Sequence, residues 1–150
     1  MSLIDDLRNA VDAYETDQCA TEIVDFAITG NGGSILNVGE TFQFKVKVTN
    51  QGPLDMKNVR LRANGTSFAD VALSTGSFGS SALSSSFNLD AHQNHTTGLF
   101  RGKCKASTSG AKDIATARVD SWDASLDHIL IDHTGAGAAE GKLNKNISPT

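Results

Sequence analysis

The sequence predicts an all-β protein, an antiparallel β-sandwich of about seven or eight short strands preceded by an amphipathic helix. Apolar and polar residues alternate over much of the chain, and turn residues interrupt the alternation roughly every 8–12 residues, which is typical of a sandwich. The strands are not separated by long helical patterns, which argues against a parallel α/β sheet. The 150 residues suffice for one domain with a sizeable core.

The first unit, residues 1–17, is expected to be the helix. Apolar residues three or four positions apart form one stripe, and acidic and polar residues occupy the other faces. A helix this short is marginal alone in water, so the stripe must pack either on the sandwich or on a neighbouring subunit. The stripe therefore supplies candidate partner contacts, which are Leu3, Leu7, Val11 and Tyr14.

The sandwich itself is expected over residues 22–133. Its clearest strand runs from Phe42 to Val48, where every second residue is apolar and the intervening residues are Gln and Lys. This alternation predicts an antiparallel strand that is buried on one face. The Ser- and Gly-rich run 74–86 leaves two interpretations open, a long loop or a pair of short edge strands.

The last predicted strands and the C-terminus follow from similar patterns. Residues 97–107 and 112–120 are expected to form a hairpin around Ser109 and Gly110. From residue 134 to residue 150 the composition changes to Gly and Ala and then to Lys and Asn, which predicts a polar tail.

One motif resembles a known family. The segment from Gly39 to Pro53 contains Val-Thr-Asn-Gln-Gly, and after a short loop Asn58-Val59 begins the next strand. This pattern resembles the bacterial and archaeal immunoglobulin-like surface repeats, including domains related to cell adhesion. The resemblance implies an immunoglobulin-like sandwich and a non-catalytic role as a spacer, an adhesive module or an assembly subunit.

Charge and hydropathy argue against two kinds of partner. The chain carries 13 basic and 17 acidic residues, a net charge of −4, and this sign opposes binding to nucleic acid. No apolar run approaches the ~18 residues of a membrane-spanning helix. The N-terminus is polar by position 5 and does not resemble a signal peptide. The location is therefore left open, with an extracellular surface or a virion favoured.

Two cysteines, Cys19 and Cys104, are compatible with one disulfide or with two buried thiols, and the sequence leaves both open. Metal ligands are the other candidate chemistry. His92 and His95 could share a metal ion on a helical turn, and Asp123 and Asp127 could offer oxygen ligands to Ca²⁺. Exposed loop residues of these types are far more often only solvated, so no cofactor is expected and calcium is a minor option.

Catalytic motifs are not found, so the chain is not expected to be an enzyme, and a metal-dependent hydrolase is the least favoured hypothesis. The favoured function is a structural or interaction module, a homo-oligomer or part of a larger assembly such as a virion, a surface layer, a filament or an injection apparatus. Its terminal segments would contact neighbouring proteins. The alternative is a module that binds carbohydrate or a cell surface, for which Trp122 is either an exposed platform or a core side chain.

Overall fold

The computed structural model of the chain describes residues 6, 9–10, 13–14, 17–29, 35–105, 108–126, 129–134 and 141–148. Within these residues the chain forms twelve strands: β1 (Cys19–Ile28), β2 (Ile35–Asn37), β3 (Thr41–Asn50), β4 (Met56–Gly65), β5 (Ala69–Leu73), β6 (Ser81–Leu83), β7 (Phe87–Leu89), β8 (Asn94–Thr96), β9 (Phe100–Cys104), β10 (Gly110–Leu126), β11 (Ile129–Thr134) and β12 (Gly141–Ser148).

The strands form two sheets. Sheet A has the order β1-β3-β9-β5, and β8 also pairs with β3. Sheet B has the order β2-β12-β10-β4-β6, and in addition β11 pairs with β10 and β7 pairs with β4. The pairing of β12 with β2 is parallel, and the other described pairs are antiparallel. Because both sheets contribute to one apolar core, the structure agrees with the predicted β-sandwich.

Strand β3 runs through the middle of sheet A and has the predicted alternation. Phe42, Phe44, Val46 and Val48 are fully buried, and the residues between them are half-buried. The Phe44 ring stacks on the Phe100 ring of β9, with 5.5 Å between the ring centroids. The alternation therefore identifies both the strand and the face that it buries.

The predicted N-terminal amphipathic helix is wrong as an element of this fold. The elements of the described residues are all strands, and β1 begins at Cys19, ahead of the predicted start of the sandwich at residue 22. Six described residues of this segment have helical backbone geometry, but they form no helical element. Most of the side chains of these described residues are exposed.

The predicted polar tail over residues 134–150 is also corrected, because Gly141–Ser148 is β12. This strand lies inside sheet B, between β10 and β2, and buries Leu143 and Ile147. Gly141 is buried too, and a Cβ atom there would lie 2.7 Å from the Thr21 carbonyl oxygen of β1. The small and polar composition thus conceals a strand that alternates Leu and Ile with Lys and Asn.

The predicted hairpin of residues 97–107 with 112–120 is not formed. Strand β9 pairs with β3 and β5 in sheet A, whereas β10 pairs with β4, β11 and β12 in sheet B. A period of two identifies a strand without identifying its partner, and connections in sandwiches often cross between the sheets. The uncertain run 74–86 contains the short strand β6 and pairs with β4.

The two cysteines are both buried thiols and do not form a disulfide with each other. The Cys19 thiol lies 3.4 Å from the Met56 sulfur, in the core between the sheets. The described residues include no helix long and apolar enough to cross a membrane.

Candidate interaction site

Thr97 interrupts the edge of sheet A between β8 and β9. Its backbone N–H donates to the Val46 carbonyl at 2.9 Å, as in a regular ladder. The Val46 N–H donates to the Thr97 hydroxyl at 3.1 Å, and this hydroxyl donates to the Gly98 carbonyl at 2.9 Å. The hydroxyl therefore supplies the acceptor that a backbone carbonyl would supply, which allows the chain to turn away from β3.

Ser84 interrupts the edge of sheet B in the same way, between β6 and β7. Its N–H donates to the Leu61 carbonyl at 2.9 Å, and the Leu61 N–H donates to the Ser84 hydroxyl at 3.0 Å. The Ser84 hydroxyl then donates to the Ser85 carbonyl at 2.9 Å. Two buried hydroxyls, one in each sheet, thus end the strand pairing.

The two interruptions open onto one cleft at the edge of the sandwich. The cleft has a volume of about 260 Å³ and is half open to solvent. Leu73 at the end of β5 and Leu99 between β8 and β9 lie at its rim, and they are 41% and 38% exposed. The wall also includes hydroxyl side chains and two rings, from Ser74, Thr75, Ser85, Phe87 and His95. We call this site the edge cleft.

The wall of the edge cleft joins the two sheets through a ring pair. Phe87 on β7 of sheet B stacks on His95 on β8 of sheet A, with 3.9 Å between centroids and 17° between ring planes. Both side chains are half-buried. The cleft therefore combines an apolar, partly aromatic surface with hydroxyl groups that can donate or accept hydrogen bonds.

A second candidate residue, Tyr14, is attached to the sandwich at the loop after β3. Its hydroxyl donates to the Asn50 side-chain oxygen at 2.7 Å and accepts from the Leu54 N–H at 3.0 Å. Burial raises the pKa of the Tyr14 hydroxyl above its usual value of 10.0, and the hydrogen bond from Leu54 opposes part of the rise. Tyr14 itself is thus bound to the sandwich by hydrogen bonds.

Asn50 is the centre of this attachment. Its side chain is fully buried, and its amide nitrogen donates to the Leu54 carbonyl at 2.6 Å and to the Leu89 carbonyl at 3.2 Å. Its side-chain oxygen also accepts from the Gly52 N–H at 3.2 Å. A Cβ atom on Gly52 would lie 2.5 Å from the Tyr14 hydroxyl, so a side chain at this position would displace the Tyr14 ring.

The other predicted partner contacts divide into two groups. Leu3, Leu7 and Val11 lie outside the described residues, so their role stays a prediction. Trp122 lies in the core, 1% exposed, and its ring centroid is 5.9 Å from that of Tyr14. A side chain buried to this extent offers no platform to a sugar in this conformation.

The structure describes three of the four predicted metal ligands, His92, His95 and Asp123. His92 lies in a turn with φ of 63°, whereas His95 stacks on Phe87. The Asp123 carboxylate accepts from the Asn58 side-chain amide at 2.7 Å, and Asp127 is outside the described residues. Among the described residues no group of three or more His, Cys, Asp and Glu side chains is placed to hold a metal ion. Calcium binding stays an untested prediction.

The basic residues of β3 and β9 lie on the outer face of sheet A beside acidic neighbours. Lys105 pairs with Asp70 at 2.9 Å, and Lys47 lies 3.9 Å from Glu22. Arg101 binds backbone carbonyls of the loop after β5 and stacks over the Phe78 ring at 4.8 Å. These contacts place charge along a solvated strand face.

The residues of the edge cleft were not recognised from the sequence. Leu73 and Leu99 are isolated apolar residues beside loops, and Ser84 is one of many serines in the run 74–86. A local signal exists at Thr97, which is followed by Gly98 after a polar segment, but it is typical of any turn. The cleft depends on which strands pair, which such local patterns do not specify.

Sequence comparisons found no matching family and no matching curated protein. Solved structures similar to this chain include AvmM, which catalyses macrocyclization in alchivemycin A biosynthesis. Its sequence identity to this chain is 10%, and the TM-score is 0.47. The match covers 89% of this chain and 90% of that chain. The CARDB domain of a Pyrococcus furiosus protein has 10% identity, coverage of 89% and 96%, and a TM-score of 0.44.

A type I cohesin from Pseudobacteroides cellulosolvens has 13% identity, coverage of 87% of this chain and 93% of that chain, and a TM-score of 0.44. Each of these TM-scores is below 0.5. We therefore base the fold on the strand pairing and the function on the geometry of the edge cleft.

Proposed function

We propose that this chain is a non-catalytic interaction module, a subunit of a larger protein assembly that contacts neighbouring copies at the edge cleft. One observation carries the proposal: Leu73 and Leu99, two of the large apolar side chains exposed in the described structure, lie on the rim of the same concave site. Exposed apolar residues scattered singly need no explanation, whereas a pair at a cleft is typical of a contact surface.

The size of the cleft favours a protein partner over a small molecule. Ligand pockets usually enclose about 300–1,000 Å³ and bury most of the ligand. The edge cleft, at about 260 Å³ and half open, has room for one or two side chains of a partner. Burial of a fully exposed leucine is worth about 1.5–3 kcal/mol, and Leu73 and Leu99 are 41% and 38% exposed, so covering both would contribute roughly 1–2.5 kcal/mol.

The contact surface differs from the terminal segments that the sequence suggested. Gly141–Ser148 is part of sheet B and cannot reach out to a neighbour without disrupting the sheet. Tyr14 is bound to Asn50 and Leu54 of its own chain. An extracellular surface or a virion stays the favoured location for such an assembly.

Light scattering of the purified full chain tests the proposal. We expect a defined multimer whose mass falls to that of the monomer in the Leu73→Ser, Leu99→Ser double variant. Val38→Ser is the matched control, because Val38 is 39% exposed but does not line the cleft. This control should assemble like the unchanged chain.

Two results would contradict the proposal. A full chain that is monomeric at every accessible concentration would exclude self-assembly. A multimer that survives the double variant but is lost in Val38→Ser would place the contact on another surface.

Carbohydrate binding is the second candidate, and the hydroxyl groups beside the Phe87 ring favour it. Sugars bind to sites that combine an aromatic face with hydrogen-bonding groups. Titration with maltotriose, followed by the amide chemical shifts of Ser85 and Phe87, tests this candidate. Shifts at both amides that saturate would support it, and unchanged shifts at millimolar sugar would exclude it for this sugar class.

A further inference from the structure

The outer edge of β8 is open within the described structure, where β8 pairs with β3 alone. In β8 and the residues that flank it, the odd-numbered positions form the hydrogen bonds to β3. The Asn50 N–H donates to the Gln93 carbonyl, and the Thr97 N–H donates to the Val46 carbonyl. Backbone groups of successive strand residues point to opposite edges. The N–H and C=O groups of Asn94 and Thr96 therefore point away from β3, at the open edge of β8.

Among the described residues, sheet A has no strand on the outer side of β8. Strand β5 pairs with β9 as far as Leu73 opposite Phe100, and beyond Leu73 the chain turns, with the Gly76 N–H donating to the Leu73 carbonyl at 3.1 Å. Arg101 fixes the turn by donating to the Leu73 carbonyl at 3.3 Å and to the Gly76 carbonyl at 2.5 Å. Because β8 continues the line of β9, the space beside β8 is the space that a longer β5 would fill.

We propose that the edge cleft binds an extended segment of a partner protein, which adds a strand to β8 and inserts an apolar side chain between Leu73 and Leu99. This inference rests on the proposed function and names the chemistry of the partner: an extended peptide backbone with alternating apolar and polar residues. Strand addition of this kind takes affinity from backbone hydrogen bonds and specificity from pockets for alternate side chains.

The geometry of the edge determines how such a segment binds. The side chains of Asn94 and Thr96 are exposed on the outer face of the sheet, and that of His95 is directed inwards to Phe87. Residues of the added strand that lie opposite Asn94 and Thr96 direct their N–H groups to β8 and their side chains to solvent. The residue opposite His95 directs its side chain into the cleft and its N–H away from β8.

Titration of the isotope-labelled full chain with the peptide acetyl-Thr-Leu-Thr-Leu-Thr-amide tests this inference by NMR. Because backbone pairing tolerates many sequences, we expect binding with a Kd of roughly 1 mM, about 4 kcal/mol. The amide protons of Asn94 and Thr96 should shift downfield and exchange more slowly with solvent. The amide of His95, which already faces β3, should change little.

Two matched peptides separate backbone pairing from apolar contact. N-methylation of the central threonine removes the N–H that faces β8, and we expect it to weaken binding by roughly 2- to 12-fold, the loss of one hydrogen bond. N-methylation of one leucine removes an N–H that faces away from β8. We expect that peptide to bind like the unmodified one.

A substitution in the protein provides the second arm. Thr96→Pro removes an N–H that makes no bond to β3, so the fold should be retained, as for prolines on strand edges. We expect Thr96→Pro to bind the peptide roughly 2- to 12-fold more weakly and Thr96→Ala to bind it normally. If Thr96→Pro does not fold, the two N-methylated peptides decide the question on the unchanged chain.

Three results would overturn the inference: no binding up to about ten times the expected Kd, equal weakening by both N-methylations, or shifts at Leu73 and Leu99 without shifts at Asn94 and Thr96. Saturable binding of maltotriose with no peptide binding would assign the cleft to carbohydrate instead. These outcomes do not depend on the mass of the chain in solution. Failure of strand addition is therefore distinguishable from failure of self-assembly.

Discussion

At the scale of single residues, Asn50 explains the most recognisable motif in the chain. The Val-Thr-Asn-Gln-Gly run ends β3, and the Asn50 side chain fixes the following loop by binding the carbonyls of Leu54 and Leu89. The Tyr14 hydroxyl completes the hydrogen bonding of this buried amide. The motif is therefore a structural device for the loop, and Gly52 belongs to it because the Tyr14 hydroxyl occupies the place of a side chain.

The raised pKa of Tyr14 predicts a loss of stability at alkaline pH. A folded-state pKa above that of the unfolded chain means that the folded state holds the proton more tightly. The contribution is fully present below about pH 10 and is lost as the pH rises through the folded-state pKa. Urea unfolding of the unchanged chain between roughly pH 8 and 11 should show a decline in the free energy of unfolding. The lysines also titrate in this range, and their effect is the same in Tyr14→Phe. The additional decline in the unchanged chain is the contribution of Tyr14.

In Tyr14→Phe this additional decline should be absent, and the variant should be about 0.5–1.5 kcal/mol less stable near pH 8, the usual contribution of one hydrogen bond. The chain contains one tyrosine, so its absorbance titration reports this hydroxyl alone. A titration midpoint at or below the ordinary value for tyrosine would contradict the burial of the Tyr14 hydroxyl, which is what raises its pKa.

At the scale of strands, two hydroxyl side chains decide where the edge cleft forms. Thr97 and Ser84 each donate one backbone hydrogen bond to a central strand and accept the next bond with the side chain. Both are buried, at 8% exposure, so water does not readily replace these bonds. The two edges are thus interrupted at facing positions, and the space between them is the cleft.

The substitution Thr97→Val tests this device, because valine has nearly the shape of threonine but lacks the acceptor. The Val46 N–H would be left buried without a partner, which costs about 1–3 kcal/mol of unfolding free energy. Thr96→Val is the matched control: Thr96 is exposed on the same strand, and its substitution should change stability by less than about 0.5 kcal/mol. Urea unfolding measures both, and equal costs would refute the role of the Thr97 hydroxyl.

The strands also show how far the sequence could predict this fold. The alternation in β3 identifies the strand and its buried face because apolar residues occupy every second position, and these are the buried positions. The residues of β9 and β10 do not specify which strands they pair with. A hairpin of the two was therefore predicted, whereas β9 lies in sheet A and β10 in sheet B. The edge cleft depends on those partners, so its residues could not be identified from patterns along the chain.

At the scale of the whole molecule, β12 closes sheet B. It pairs antiparallel with β10 and parallel with β2, so it connects a late segment of the chain to an early one. Composition predicted a tail because the segment is rich in Lys and Asn, but the alternation of Leu143 and Ile147 with polar residues fits a strand with one buried face. Two buried apolar side chains are enough to hold β12 in the sheet because Gly141 allows the backbone of β12 to approach β1 closely.

Leu143→Ala distinguishes a strand from a tail. Leu143 is 5% exposed, and its truncation leaves a cavity that should cost about 2–5 kcal/mol of unfolding free energy. Lys142→Ala, at the neighbouring exposed position, should change stability by less than about 0.5 kcal/mol. Thermal or urea unfolding gives both values. If Leu143→Ala leaves the free energy of unfolding unchanged, the segment is a tail and not a strand of the sheet.

The position of β12 also constrains how the chain is synthesised and folded. Strand β2 pairs only with β12 among the described strands, so Ile35 can find its partner Asn146 only after the long segment between them has been synthesised. Domains with such distant pairings fold slowly, on a scale of about milliseconds to seconds, because the closing of a long loop precedes any gain in contacts. During translation the exposed edge of β10 is therefore unprotected, and a chaperone or rapid completion of synthesis would limit its aggregation.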